Sequence, residues 1–268
     1  MRTEINFENF KYFNIDGGDY FSDAGAAMGV LPRALWENKI NLDSKHRMKF
    51  NLNLGLIVTE SAKILIDTGI GNRISEKEKE IYNPSDYRLF DSLKSLNIKP
   101  EEIDYVILTH LHFDHAGGIV STIEGEDKLT FPNAIHIIQK EEWETAKSPD
   151  ELNKAAYNFV KYLALLEAKG NYRLIDGDEE IAPGISVIKT GGHSNGCQIV
   201  KLRNEKTIAY YAGDIIPSKM HISLGITSSY DVCRKDTVKF KKIILEELVK
   251  FNGFLILNHD SKQQIIQV

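Results

Sequence analysis

The chain has 268 residues, with 33 Lys and Arg against 38 Asp and Glu, a formal net charge of -5, and a hydrophobic share of 42%. That length supports one large buried core, and the acidic balance argues against a general phosphate-backbone binder, which must concentrate Lys and Arg to displace counterions. Two cysteines, Cys197 and Cys233, make neither a disulfide scaffold nor a CxxC pair. The start, MRTEINFENFKYF, is too mixed for a secretory signal, and no run nears the roughly 20 apolar residues that cross a bilayer. A cytoplasmic protein with a small-molecule substrate, no nucleic-acid partner and no membrane partner is therefore expected.

In chain order, Asp16–Gly18 (DGG) and Glu124–Asp127 (EGED) read as turns. Leu52–Glu60 and Lys63–Asp67 read as neighbouring strands that end at a loop with Gly69 and Gly71. Leu89, Leu93 and Leu96 are spaced for a helix over Asp86–Leu96, which Pro100 follows. Asp104–Thr109 is a short apolar strand directly before His110, and Ala134–Ile138 is another before a helix from Lys140 through Ala146. The run Glu151–Ala168, rich in Ala and Leu and closed by Gly170, predicts one longer helix. Gly184–Thr190, Gln198–Leu202 and Thr207–Ala212 make a strand-rich second half. Lys235–Lys250 has the pattern of a surface helix, and Phe254–Leu257 is a last strand that delivers Asn258, His259 and Asp260. The expectation is a single domain, 1–268, with residues 1–50 as an amino-terminal extension or lid.

The chemistry concentrates in THLHFDHAGG, Thr109–Gly118. Imidazoles and carboxylates are the ligand types for zinc, iron or manganese, and HxHxDH at a strand end is a far stronger signal than a lone HxH. Three later donors share one context, an apolar extended segment followed by an abrupt turn: His193 in TGGHSNG, Asp214 after YYAG, and His259 after LILN. The expected arrangement gives one divalent ion His110, His112 and His193, and a second ion Asp114, His115 and His259, with Asp214 bridging both. A hydroxide between the ions would be the nucleophile, with the ions polarising the bond attacked, and Asp114 would orient it or carry its proton. Zinc is the expected metal, with iron or manganese as alternatives.

These residues closely resemble the metallo-beta-lactamase superfamily, whose pattern stands here as His110-Leu111-His112-Phe113-Asp114-His115 followed by His193, Asp214 and His259. The resemblance spans nearly the whole chain. It implies an α+β, four-layer αββα sandwich with two mixed sheets between outer helices and the metals at one sheet edge. Asp16-Gly17-Gly18, Val30-Leu31-Pro32 with Trp36, Ile66–Gly71, Asp214–Pro217, His221 and Tyr230-Asp231 resemble the branch of quorum-quenching lactonases and related organophosphate hydrolases. That branch implies opening of lactones such as N-acyl homoserine lactones, and a homodimer. The alternatives are a phosphotriesterase, a thioesterase, or a non-enzymatic metal-binding or interaction protein on the same fold. With only a short tail after His259, the helical domain usual in the thioesterase members is not expected.

One position departs from the branch. Its best-known lactonases carry a Tyr three residues after the bridging Asp, and here that residue is Pro217. His221 and Tyr230 are the candidates to replace its hydroxyl. Asp67 is read either as a hydrogen-bond partner for a ligand histidine or as a turn cap. Phe21, Met28, Leu31 and Trp36 are read either as an apolar wall over substrate or as packing, and Cys197 as a small buried hydrophobe.

Overall fold

The computed structural model describes residues 3–151 and 153–268. Fifteen strands in these residues form two large sheets and one hairpin. The first sheet runs β1 (Glu4–Phe7), β2 (Phe10–Asp23), β3 (Arg47–Thr59), β4 (Lys63–Ile66) and β5 (Tyr105–Ile107). After a hairpin of β6 (Val120–Ile123) and β7 (Glu126–Leu129), β8 (Ile135–Gln139) and β9 (Tyr172–Ile175) complete it beside β5. The second sheet runs in sequence order: β10 (Glu179–Ala182), β11 (Ile185–Lys189), β12 (Gln198–Arg203), β13 (Ile208–Tyr211), β14 (Phe254–Ile256) and β15 (Ile265–Gln267). Both sheets are mixed. β4, β5, β8 and β9 pair in parallel, as do β13 and β14, and the remaining pairs in the two sheets are antiparallel.

Strand alternation sorts the apolar side chains into three cores. Ile64 and Ile66 of β4 point between the sheets, where they meet Val187, Val200, Tyr211 and Ile256. Leu65, between them in sequence, points the other way with Leu56 and Val106, under α3 (Leu89–Ser95) and α5 (Lys140–Lys147) through Leu89, Leu93 and Trp143. On the far side, Ile208, Tyr210 and Leu255 pack under α8 (Arg234–Phe251) through Ile244 and Leu248. Four layers result, αββα. Each fully buried aliphatic side chain stabilises this arrangement by about 1.5–3 kcal/mol. Among the described residues, no helix is long and apolar enough to cross a membrane.

Several sequence expectations meet a different outcome. Asp16–Gly18 is a bulge inside β2, with Gly18 at φ +107°, not a break between elements. Within residues 1–50, β1 and β2 are built into the first sheet. Residues 24–46 leave it as an excursion holding α1 (Ala24–Met28) and two 3-10 turns. Met28 and Trp36 are buried in the helix-side core, while Phe21 and Leu31 are half-buried. α2 (Glu76–Tyr82) follows β4, with a Ser75–Glu78 capping box. The single helix expected over Glu151–Ala168, whose Leu152 lies outside the described residues, is instead a turn segment followed by α6 (Phe159–Tyr162) and α7 (Ala164–Lys169). Two asparagines explain the difference. Asn153 donates its amide to Asp150, and Asn158 caps α6 by accepting from Lys161 N. The Ala156 carbonyl also leaves the helical pattern to accept from Phe113 N in the histidine-rich loop.

Candidate metal centre

Every donor of the expected constellation leaves a strand end. β5 runs through Leu108 and Thr109 into His110 and His112. The one-turn α4 (Phe113–Ala116) then carries Asp114 and His115. His193 lies between β11 and β12, Asp214 in the 3-10 turn after β13, and His259 after β14. Two glycines let these loops close. A Cβ on Gly118 would stand 2.2 Å from Thr68 O, and one on Gly192, at φ +84°, 2.8 Å from Thr237 Oγ1.

The donors converge as two groups. His110 Nε2 lies 2.9 Å and His193 Nε2 3.1 Å from His112 Nδ1. On the other side, His259 Nε2 is 3.3 Å from His115 Nε2 and 3.4 Å from Asp114 Oδ2. Asp214 stands between them. Its Oδ2 is 3.2 Å from His193 Nε2, while its Oδ1 is 3.4 Å from His115 Nε2 and 3.2 Å from His259 Nε2. Three ligand sets of this kind, each with donor atoms within 4.8 Å of one another, are found among the described residues: His110, His112 and His193; His110, His115 and Asp214; and Asp114, His115 and His259. These residues fit two divalent ions. Nitrogen lone pairs crowded at about 3 Å repel unless a cation or a shared proton sits among them, and the set is hard oxygen and borderline nitrogen without thiolate.

Electrostatics divide the centre. Burial, and then the neighbouring imidazoles, hold His110 and His112 well below the usual histidine range. Burial also opposes protonation of His115, but the carboxylates of Asp114, Asp67 and Asp214 outweigh it and raise that histidine well above the range. Burial likewise opposes ionisation of Asp214, and His259, His115 and His193 together win, holding its carboxyl well below normal.

A second ring of bonds aims the histidines. His115 Nδ1 donates to Asp67 Oδ2 at 2.9 Å, His193 Nδ1 to Asp231 Oδ1 at 2.9 Å, and His259 Nδ1 to Asn51 O at 2.8 Å. Each bond leaves the Nε2 lone pair directed inward. Asp67 also accepts from Thr109 N at 2.8 Å and Thr109 Oγ1 at 2.9 Å, so it ties β4 to the start of the ligand loop while it orients His115. Asn258 Nδ2 donates to Asp214 Oδ1 at 2.6 Å. The buried Glu142 accepts from Leu111 N, Tyr157 Oη, Ser194 Oγ and Gly196 N, which joins the loops of His110 and His193.

Tyr20 is the largest addition to the residues read from sequence. Its buried hydroxyl donates to Asp114 Oδ2 at 2.6 Å, and burial together with that carboxylate pushes the phenol well above its usual value. The two residues singled out to replace the missing hydroxyl are otherwise engaged. His221 is buried, donates from Nε2 to Ala27 O at 3.0 Å and accepts at Nδ1 from Ser218 Oγ at 2.8 Å; burial lowers it to about 4. Tyr230, 40% exposed as a residue, pairs its Oη with Ser22 Oγ at 3.0 Å. Cys197 is buried, and burial drives its thiol well up, keeping it protonated. In the sequence Asp231 stands beside Tyr230 with no signal of its own, and Glu142 is one more carboxylate of a polar helix.

The model of the metallo-beta-lactamase superfamily matches residues 49–245. An N-acyl homoserine lactonase of Bacillus cereus is 32% identical over 163 residues, covering 57% of this chain and 58% of that protein. One of Agrobacterium fabrum is 33% identical over 141 residues, covering 48% of this chain and 49% of its own length. The match thus spans about half the length of these curated relatives. Among solved structures, a probable metal-dependent hydrolase from Staphylococcus aureus superposes with a TM-score of 0.91 at 27% identity, covering 98% of this chain and 94% of that one. A dizinc quorum-quenching lactonase shares the fold, with a TM-score of 0.77 at 20% identity, over 98% of this chain and 91% of its own.

Proposed function

The chain belongs to the metallo-beta-lactamase superfamily, and from that membership we propose that it is a two-metal hydrolase that opens lactones, N-acyl homoserine lactones among them. The observation that carries this reading is Asp214, whose two carboxylate oxygens face two different groups of donors. His110, His112 and His193 would hold one ion, Asp114, His115 and His259 the other, and Asp214 both; zinc suits this donor set. When bound, the ions would supply an activated water and polarise the ester carbonyl.

The chain's own groups account for the rest. Water adds its oxygen to the acyl carbon, the ring C–O bond breaks, and one proton must travel from the water to the departing ring oxygen. Asp114, one of the candidate donors and bonded by Tyr20, would carry that proton. Tyr20 holds Oδ2 of Asp114 from one side, so the carboxylate does not rotate away as its charge changes. The named substrates of the Bacillus and Agrobacterium relatives support the choice of lactone over phosphotriester or thioester.

The test is ring opening of short- and long-chain N-acyl homoserine lactones by protein loaded with two ions, followed by proton release and product mass. Turnover that disappears in Asp214→Ala is expected. No rate above that variant, with both ions bound to the wild type, overturns the lactonase reading.

A further inference from the structure

We propose that the cleft beside His259 is a substrate subsite that selects an acyl arm ending in an anionic group, a carboxylate in the first instance. The proposal rests on the hydrolytic reading above and deepens it, because it names the class of lactone or ester the centre would favour.

The cleft has a volume of about 730 Å³, enough for a small acyl chain. Four segments enclose it: the end of β2 with the excursion that follows, the start of β3, the loop after Asp214, and the residues after β14. His259 belongs to both the cleft lining and the candidate ligand sets, so it is the residue that joins the two. Its apolar lining comes from Phe21, Ile40, Leu42, Met48 and Met220, side chains that lower the free energy of an alkyl chain leaving water.

The charged lining is one-sided. Lys39, Lys49, Lys219 and Lys262 stand around the cleft, against the carboxylates of Asp43 and Asp260. Both carboxylates already have partners. Asp43 accepts from Lys45 N and Arg47 N and pairs with the Arg47 guanidinium. Asp260 accepts from Lys219 N, Lys262 N and Gln263 N. Of the ammonium groups, Lys49 pairs with Asp19 and Lys219 donates to Gln263. Among the described residues, Lys39 and Lys262 have no ion-pair partner. A chain with a net charge of -5 thus presents a locally cationic collar over an apolar floor, in a cleft that shares His259 with its candidate centre. A neutral alkyl arm would use the floor and leave the collar unanswered. An arm ending in a carboxylate uses both, and the field of the collar would also raise its rate of encounter.

The experiment compares two substrates of the metal-loaded protein: homoserine lactone acylated by one end of adipic acid, and the same compound with the free carboxylate capped as its methyl ester. Each exposed ion pair is modest, so two together set the expected preference, about tenfold in kcat/KM for the acid. The double variant Lys39→Glu/Lys262→Glu removes that preference and leaves the methyl ester's kcat unchanged, and 0.5 M salt erodes it in the wild type. Equal kcat/KM for the two lactones, unmoved by the double variant, overturns the proposal. If neither lactone turns over with both ions bound, the lactonase reading fails by itself. The subsite is then decided by adipate alone. A rise in melting temperature that the double variant loses supports it, and an equal response of the two proteins overturns it.

Discussion

Replacing Tyr20 by Phe removes a single oxygen from the candidate centre and little else. The ring stays among Phe50 at 5.3 Å, Phe113 at 5.8 Å, His259 at 6.0 Å and Tyr82 at 6.2 Å, contacts that a phenyl group makes equally well. What disappears is the 2.6 Å bond to Asp114 Oδ2, an oxygen that also lies 3.4 Å from His259 Nε2 and 3.5 Å from His115 Nε2. A hydrogen bond to a buried charged group is worth about 1.5–3 kcal/mol, which as a change in affinity is roughly 10- to 150-fold. Loss of a bond that orients a metal ligand falls in the same range, about 10- to 100-fold. The loss should fall on one ion. Asp114 belongs to the set with His115 and His259, whereas His110, His112 and His193 form a set of their own. Titration of metal-stripped protein against a chromophoric chelator resolves the two binding steps. Tyr20→Phe is expected to weaken one step by at least tenfold, leave the other within about twofold, and melt within a few degrees of the wild type. Equal affinities at both steps would refute the assignment of Tyr20 as the residue that positions Asp114.

Three further outcomes follow from the same structure. Glu142→Ala strands two backbone N–H groups and two hydroxyls in a buried space, so chemical denaturation should show a loss of at least about 3 kcal/mol. His136 is fully buried and burial lowers it to about 4 from an unfolded value of 6.5. The unfolded chain therefore binds its proton first, and the stability this histidine contributes is complete above pH 6.5 and lost as the pH falls toward 4. The wild type's advantage over His136→Gln should shrink by up to about 3 kcal/mol across that window, and a difference that does not vary with pH would count against it. Removal of the ions with a chelator should lower the melting temperature by about 5–10 °C, reversed by zinc, because bound ligand stabilises only the folded state.

The candidate donors were legible because their signal is local. Thr109–Gly118 packs four donors into one strand end, and His193, Asp214 and His259 each follow a readable strand. The layers were legible for a related reason, since alternation such as Ile64, Leu65 and Ile66 assigns each side chain to a face before any partner is known. The long helix failed where that logic ends. Ala and Leu spacing over Glu151–Ala168 is helical, but it does not register that Asn153 and Asn158 have better local partners, or that the Ala156 carbonyl is taken by Phe113.

Of the residues that aim the candidate donors, Asp67 was legible as one of two readings and Tyr20 and Asp231 were not, and the separations explain why. Tyr20 and Asp114 are 94 positions apart, Asp67 and His115 48, Asp231 and His193 38. A single tyrosine in a strand or a single aspartate in a loop carries no periodicity and no spacing relative to its partner. Tertiary structure alone makes it specific. Pro217 illustrates the consequence. Looking near Pro217 in the chain leads to His221 and Tyr230, one bonded at both ring nitrogens and the other turned to Ser22. The hydroxyl that reaches Asp114 comes from β2, a strand at the opposite end of the sequence. A ligand loop can be written in ten consecutive residues, but the bonds that hold its donors in one orientation must come from outside it. In this fold they arrive from β2 for Asp114, the turn after β4 for His115 and the loop before α8 for His193. Substitutions at Tyr20, Asp67 and Asp231 should therefore change metal affinity while leaving the HxHxDH motif intact.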